Sequence, residues 1–282
     1  MKKILRKIFI NNYKNIFFMI LNSHSKYFSL ENIELKIKKD CKLGRKNSII
    51  KTQIDEIITP NILKNGKWDY FVVNFIKKKT KNTKEKFNFI DIGANIGLIS
   101  KQLINEKIKI DKYHCIEPEK KNFEILKKNL KFSNKALFYN IALTDKKSNY
   151  QKIYLNNNNF GDYSLLKKEH SNFSLVKCEN INSFFKNISK IFKNNKIIYK
   201  SDTQGFDEML ILSLEKKYLK KISILILEIS NFNFLEKNKK KFLNLTKYFN
   251  IIEDEKGNKL NEMDLSLKIN QKTELNLLFA KN

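Results

Sequence analysis

The stretch Phe87-Asn88-Phe89-Ile90-Asp91-Ile92-Gly93-Ala94-Asn95-Ile96-Gly97-Leu98-Ile99-Ser100 decides how the rest of this chain is read. It opens with bulky apolar residues that suit a buried strand, and the run breaks at Gly93. From Gly97 onward, Leu98, Leu103, Ile104 and Ile108 take a spacing compatible with a helix. Strand, glycine turn and helix in that order form the first βα unit of a nucleotide-binding α/β domain. Gly93 and Gly97 supply backbone that turns sharply and lies close to a ligand. The free N–H groups of the helix start are placed to meet a carboxylate or phosphate.

The turn also discriminates between ligands. A dinucleotide fingerprint carries a second glycine that lets the chain press against a pyrophosphate. In Gly93-Ala94-Asn95-Ile96-Gly97 that position is Asn95, which brings a side chain. The strand also ends near Asp91, whose carboxylate would repel a pyrophosphate but attract the ammonium or sulfonium of an amino-acid-like cofactor. Past Gly97, the apolar stretch Tyr113, Cys115, Ile116 ends in Glu117-Pro118, where an acid accepts hydrogen bonds from two ribose hydroxyls. The pattern favours S-adenosylmethionine over NAD, with an ordinary strand-to-helix turn as the bland alternative.

The bulk properties set the frame. At 282 residues the chain suits one large α/β domain with an appendage. A hydrophobic fraction of 41% with 22 Phe supports a sizeable core. The net charge of +27 is open to two readings: an anionic partner such as nucleic acid or membrane, or a lysine-rich composition spread along the chain. The lysines are scattered, with no single basic block interleaved with aromatics, so no specific nucleic acid is expected. Cys41, Cys115 and Cys178 are far apart and odd in number, which points to free thiols in a reducing cytoplasm. Cysteines and histidines are too dispersed for a zinc site, and no metal is expected.

Residues 1–65 read as a basic N-terminal extension and 66–282 as the α/β domain. The start mixes Lys2, Lys3, Arg6 and Lys7 with Ile4, Leu5, Ile8 and Phe9. Its longest apolar run is too short to span a bilayer. An amphipathic helix packing on the domain is the expectation, with peripheral contact at the inner membrane face as the alternative. Trp68, Phe71, Val72, Phe75 and Ile76 predict a helix ahead of the first strand. Ala136 to Leu143 reads as a third strand and Lys196 to Asp202 as a fourth. The nearly continuous apolar run Ile222 to Glu228 reads as a central strand buried on both faces. In open α/β sheets ligands sit beyond the carboxyl ends of the strands, which places Asp202 and Glu228 at the cleft. Two carboxylates at neighbouring strand ends position a hydroxyl and accept its proton. The alternatives are that Asp202 caps the following helix and that Glu228 pairs with a lysine. With strands at Phe249 to Ile252 and Glu274 to Ala280, about seven strands alternate with helices in a mostly parallel sheet.

Several of these segments, in order, resemble the FkbM family of S-adenosylmethionine-dependent methyltransferases: "FIDIGANIGLIS", "CIEPEKKNFEILKKNL", "NIALTDKKS", "YKSDTQGFDEMLILSL" and "ILILEIS". The resemblance runs from about Trp68 to the C-terminus. It implies a Rossmann-like class I methyltransferase fold, and methylation of hydroxyls on sugars, polysaccharides or related secondary products. It further implies that Asn140 and Ala142 lie at the cofactor beside Asp91, Gly93, Ala94, Asn95, Gly97 and Glu117. The Asn-rich stretch around Asn156 to Ser164 is similar to an insertion that covers the substrate. The chain departs from the family at Ile181-Asn182-Ser183, where an acidic Leu-Asp-Asp is usual. An RNA methyltransferase acting on ribose or a base remains an alternative. The form that methylates base amino groups lacks its Asn/Asp-Pro-Pro-aromatic motif here, since the only prolines are Pro60 and Pro118. A non-catalytic Rossmann-like module at the membrane surface is the third reading.

Overall fold

The computed structural model describes residues 16, 19–21, 23–31, 33–156, 158–167, 172–192 and 195–281. Most of the start expected as an amphipathic helix, residues 1–15, 17 and 18, lies outside them. Among the described residues no helix is long and apolar enough to cross a membrane.

The chain begins with three short antiparallel strands, β1 (Phe28–Glu31), β2 (Glu34–Ile37) and β3 (Ile49–Lys51), followed by α1 (Ile58–Asn65). The sequence offered no assignment for this region, because strands of three or four residues carry too little periodicity to read. Helix α2 (Tyr70–Thr80) then leads into β4 (Phe87–Ile92), all six residues of which are buried. Alternation continues through α3 (Leu98–Asn105), β5 (Ile110–Ile116), α4 (Lys120–Leu130) and β6 (Ala136–Tyr139). A small sheet follows, from β7 (Ala142–Thr144), β8 (Tyr150–Tyr154) and β9 (Phe173–Asn180). The rest comprises α5 (Ile181–Phe192), β10 (Lys196–Ser201), α6 (Asp207–Ser213), α7 (Lys216–Leu219), β11 (Ile222–Ile229) and α8 (Phe232–Thr246). It closes with β12 (Ile251–Asp254), α9 (Glu262–Gln271) and β13 (Leu275–Ala280).

Seven strands form the main sheet in the order β12-β13-β11-β10-β4-β5-β6. All pairs from β11 to β6 are parallel, and β13 runs antiparallel to both β11 and β12. The expected α/β architecture, a mostly parallel seven-stranded sheet with helices on both faces, is present. One apolar layer joins α2, α3 and α4 to the sheet through Val73, Leu103, Leu126 and Leu130. The opposite layer packs Phe184, Phe185, Leu210, Tyr218, Leu235 and Leu265 against the other face. From β4 the chain winds through β5 and β6 to one side, and the strands from β10 lie on the other. The sheet's switch point therefore falls between β4 and β10, where α/β folds hold their ligands.

Two expectations need correction. The third strand does not run unbroken to Leu143: it stops at Tyr139, and Ala142–Thr144 pairs with β9 in the small sheet. The cause is Asn140, whose Nδ2 donates to the carbonyls of Glu117 (2.9 Å) and Pro118 (3.0 Å) and anchors the departing chain there. The last two strands are also separated by a helix, α9, beyond the expected Gly257 turn. Asn261 and Asp264 start it with a reciprocal capping box.

The N-terminal strands pack against the glycine unit. Phe28, Leu35, Ile37 and Ile62 share one apolar cluster with Ile96, Leu98 and Ile125. Asn129 on α4 makes the polar join: its Oδ1 accepts from Lys51 N (2.8 Å), and its Nδ2 donates to Lys51 O (2.8 Å) and Ile96 O (2.9 Å). Replacing Asn129 with Ala leaves the buried Ile96 carbonyl and the half-buried Lys51 backbone without this partner, which costs about 1–3 kcal/mol. Urea unfolding of Asn129→Ala is expected to show that loss, with faster hydrogen exchange at Lys51. An unchanged midpoint would contradict the account.

Candidate functional site

One cleft opens at the switch point. The turn after β4 lines its floor, and the backbone there is unusual: Gly93 has φ 72° and Asn95 φ 48°. A side chain at Gly93 is barred, since a Cβ would lie 1.9 Å from the carbonyl oxygen of Asp202. Glu117, at the end of β5, forms the far wall. It accepts from Asn95 N (Oε2, 2.8 Å) and Glu119 N (Oε1, 2.9 Å). A carboxyl group offers about four hydrogen-bonding positions, so two remain for a ligand. Between these polar groups, Ile92, Ile116, Ile141, Ala142 and Leu143 give apolar walls.

The loop between β8 and β9 closes over the turn. The carbonyl of Phe160 accepts from Asn95 Nδ2 (3.3 Å) and from Asn122 Nδ2 (3.0 Å). Phe160 and Tyr163 meet edge to face at 6.2 Å, and both line the cleft. From the N-terminal region, Ile57 and Ile58 complete this rim.

The opposite end of the cleft is charged. Lys200 and Asp91 are register partners on β10 and β4. The Lys200 ammonium lies 3.3 Å from Asp91 Oδ1 and 3.4 Å from Asp202 Oδ2, and donates to Gly93 O at 3.2 Å. Burial alone pulls its pKa down, but Asp202 and Asp91 outweigh it and hold the ammonium charged. Gln204 Nε2 donates to Asp202 Oδ1 (3.1 Å) and to both Glu228 oxygens (3.1 and 2.9 Å). Burial first, then the charge of Asp202, pushes the Glu228 carboxyl up to about 11. Helix α6 fixes both strand ends. Asp207 accepts from Ser201 Oγ and from Thr203 N (3.0 Å), while Glu208 accepts from Ser230 N and Asn231 N (2.9 Å each).

Of the residues expected at the site, Gly93, Ala94, Asn95, Glu117, Ala142, Asp202 and Glu228 line this one cleft. Three do not. Asp91 lies beneath the floor, 1% exposed, where it accepts from Ser100 Oγ (2.8 Å) and pairs with Lys200. A Cβ on Gly97 would sit 2.6 Å from Leu126, so this glycine serves helix packing. Asn140 is exposed and holds the Glu117 and Pro118 carbonyls from outside. Asp202 is not a helix cap, because α6 begins at Asp207 with Phe206 at the N-cap. Among the described residues Glu228 has no lysine or arginine partner. Lys200, Gln204 and Asp69 were not among the residues expected at the site, and Phe160 and Tyr163 were expected only as part of the covering stretch Asn156 to Ser164. Lys200 was within reach, since residues two apart on a strand share a face and Asp202 follows it by two. No comparable signal marks Gln204 or Asp69.

The residues present fit S-adenosylmethionine. Asn95 Oδ1 is buried without a partner at the cleft wall and suits a ligand's hydroxyl or ammonium donor. Glu117 has capacity left for a ribose diol. No group of histidine, cysteine and acidic side chains among the described residues could hold a metal ion.

The Methyltransferase FkbM domain family matches residues 91–267. Among solved structures, the methyltransferase FkbM from Methylobacillus flagellatus KT is similar at 15% identity, covering 78% of this chain and 52% of that one, with a TM-score of 0.39. TrmK from M. capricolum, solved with S-adenosylhomocysteine, is 14% identical, covering 73% and 67%, at a TM-score of 0.34. A putative RNA methyltransferase from Pyrococcus horikoshii is 11% identical, covering 76% and 82%, also at 0.34. The chain spans about half the length of the Methylobacillus protein. No curated protein matches it.

Burial raises Glu117 from the usual 4.5 to about 8. An acid whose pKa is raised by folding stabilises the native state fully below its unfolded pKa and loses that contribution as pH rises through the folded value. Melting temperature is therefore expected to fall between about pH 5 and pH 8. Glu117→Gln cannot ionise, so its curve is expected to be flatter over that window, whatever its offset. Parallel curves for the two proteins would show that Glu117 does not titrate there.

Proposed function

The chain belongs to the FkbM family of S-adenosylmethionine-dependent methyltransferases, and on that premise we propose that it methylates a hydroxyl of a sugar, polysaccharide or related product. The observation carrying this reading is the pair Asp202 and Glu228, set at neighbouring strand ends in the cofactor cleft and joined by Gln204. A hydroxyl is a poor nucleophile until a base takes its proton, and one carboxylate of the pair supplies that base.

When bound, S-adenosylmethionine supplies a methyl carbon on a positively charged sulfur, which departs with the carbon–sulfur electron pair as a neutral thioether. The protein's own work is alignment and exclusion of water. Glu117 would hold the ribose end, and Ile116, Ile141 and Leu143, which line the same cleft, would enclose the ring. Asp69 and Asp202 give the other end a negative potential that suits the cationic group. Phe160 and Tyr163 roof the cleft and shed water. Such alignment is worth ~7–11 kcal/mol of a two-reactant barrier.

The charge of +27 favours RNA as a second acceptor class. Incubation with methyl-tritiated S-adenosylmethionine and fractionated cell-envelope glycans, with total RNA in parallel, separates the two. Label is expected in the glycan fraction. Asp202→Asn should lower its incorporation by about 10²–10⁴-fold. Label confined to RNA would overturn the glycan reading.

A further inference from the structure

Asp202 and Glu228 stand in different electrostatic surroundings. Asp202 has Lys200 at 3.4 Å and a side chain 32% exposed. Glu228 is 8% exposed. Among the described residues the charged groups that bear most on it are Asp202 and Lys200 at the end of β10, Asp207 on α6 and Glu274 ahead of β13. Three of these four are acids. The one ammonium among them is already held by Asp91 and Asp202. What touches Glu228 directly is the amide of Gln204, a dipole with no net charge. Its hydrogen bonds favour a carboxylate slightly, but burial and like charges favour the neutral acid by far more.

Gln204 is itself firmly placed. Its backbone takes the left-handed conformation, φ 56°, and is followed by Gly205 at φ 104°. Its carbonyl accepts from Ser164 Oγ at 2.7 Å. Ser164 is fully buried and pairs with Tyr154 at the base of the covering loop.

We infer that Gln204 is a positioning residue that spans the two carboxyl groups, orienting Glu228, a neutral carboxylic acid buried without a cationic partner, beside the Lys200-paired carboxylate of Asp202. Asp202 then takes the proton of the acceptor hydroxyl, leaving the O–H electron pair on the acceptor oxygen. Glu228 keeps its own proton and donates it as a hydrogen bond. This rests on the reading of Asp202 and Glu228 as the pair that faces the acceptor.

The test uses the intact protein without cofactor, labelled with ¹³C at the glutamate side-chain carboxyls and followed by NMR from about pH 5 to pH 10. The resonance absent from Glu228→Gln belongs to Glu228. It is expected to keep the position of a protonated acid through neutral pH. Gln204→Lys brings an ammonium to the carboxyl and is expected to lower its ionisation midpoint by about 1–3 pH units. Gln204→Met keeps the bulk without the amide; Glu228 should stay protonated while its resonance moves, because its hydrogen bond is gone. A wild-type Glu228 already ionised at pH 7 overturns the inference. So does an unchanged titration in Gln204→Lys or, should that variant not fold, an unmoved resonance in Gln204→Met. The readout needs no acceptor, so failure to methylate glycans would leave it standing. An ionised Glu228 would in turn leave the methyltransferase reading intact.

Discussion

The buried ammonium of Lys200 is the interaction on which the site depends. It touches the last polar residue of β4, the carbonyl of the glycine turn and the acid that ends β10. Breaking a buried ion pair by removing one partner costs about 3–5 kcal/mol, because the remaining charge is left without compensation. The lysine thus locks two strands at the point where the sheet reverses its winding. Gly93 belongs to the same constraint. Only a residue without a Cβ lets the turn come this close to Asp202, and the cleft floor is the product of that approach.

From this lock the two ends of the cleft take opposite characters. Toward β5, Glu117 is held by backbone N–H groups and flanked by isoleucines, an environment for a flat heterocycle carrying a diol. Toward β11, acids outnumber cations, an environment for a positively charged centre. Helix α6 keeps the second end rigid, since Asp207 and Glu208 bind the backbone just beyond each strand end. The N-terminal strands and the β8–β9 loop close the remaining sides, so residues far apart in the chain jointly shield one small volume.

Much of this was legible in the sequence. The strand-turn-helix unit, the continuous apolar run of β11 and the acids at the strand ends follow from periodicity and from the rule that ligands sit at carboxyl ends. What was not legible depended on contacts distant in sequence. Asp91 reads as an acid near the turn, but nothing in the sequence shows that its register partner is Lys200. Asn140 reads as part of a strand until its side chain is found on the Glu117 and Pro118 carbonyls. Gln204 carries no signal of its own, because its role comes from two acids that the sheet places on either side of it. The short strands of the extension are unreadable for a simpler reason: each is too brief to show a period.

The central claim is that the switch-point cleft is a site for S-adenosylmethionine. Calorimetric titration of the purified protein with S-adenosylmethionine, with NAD as the control ligand, tests it most directly. The account predicts a Kd on the order of micromolar for the first and no measurable heat for the second. Heat from NAD, or none from S-adenosylmethionine, would contradict it.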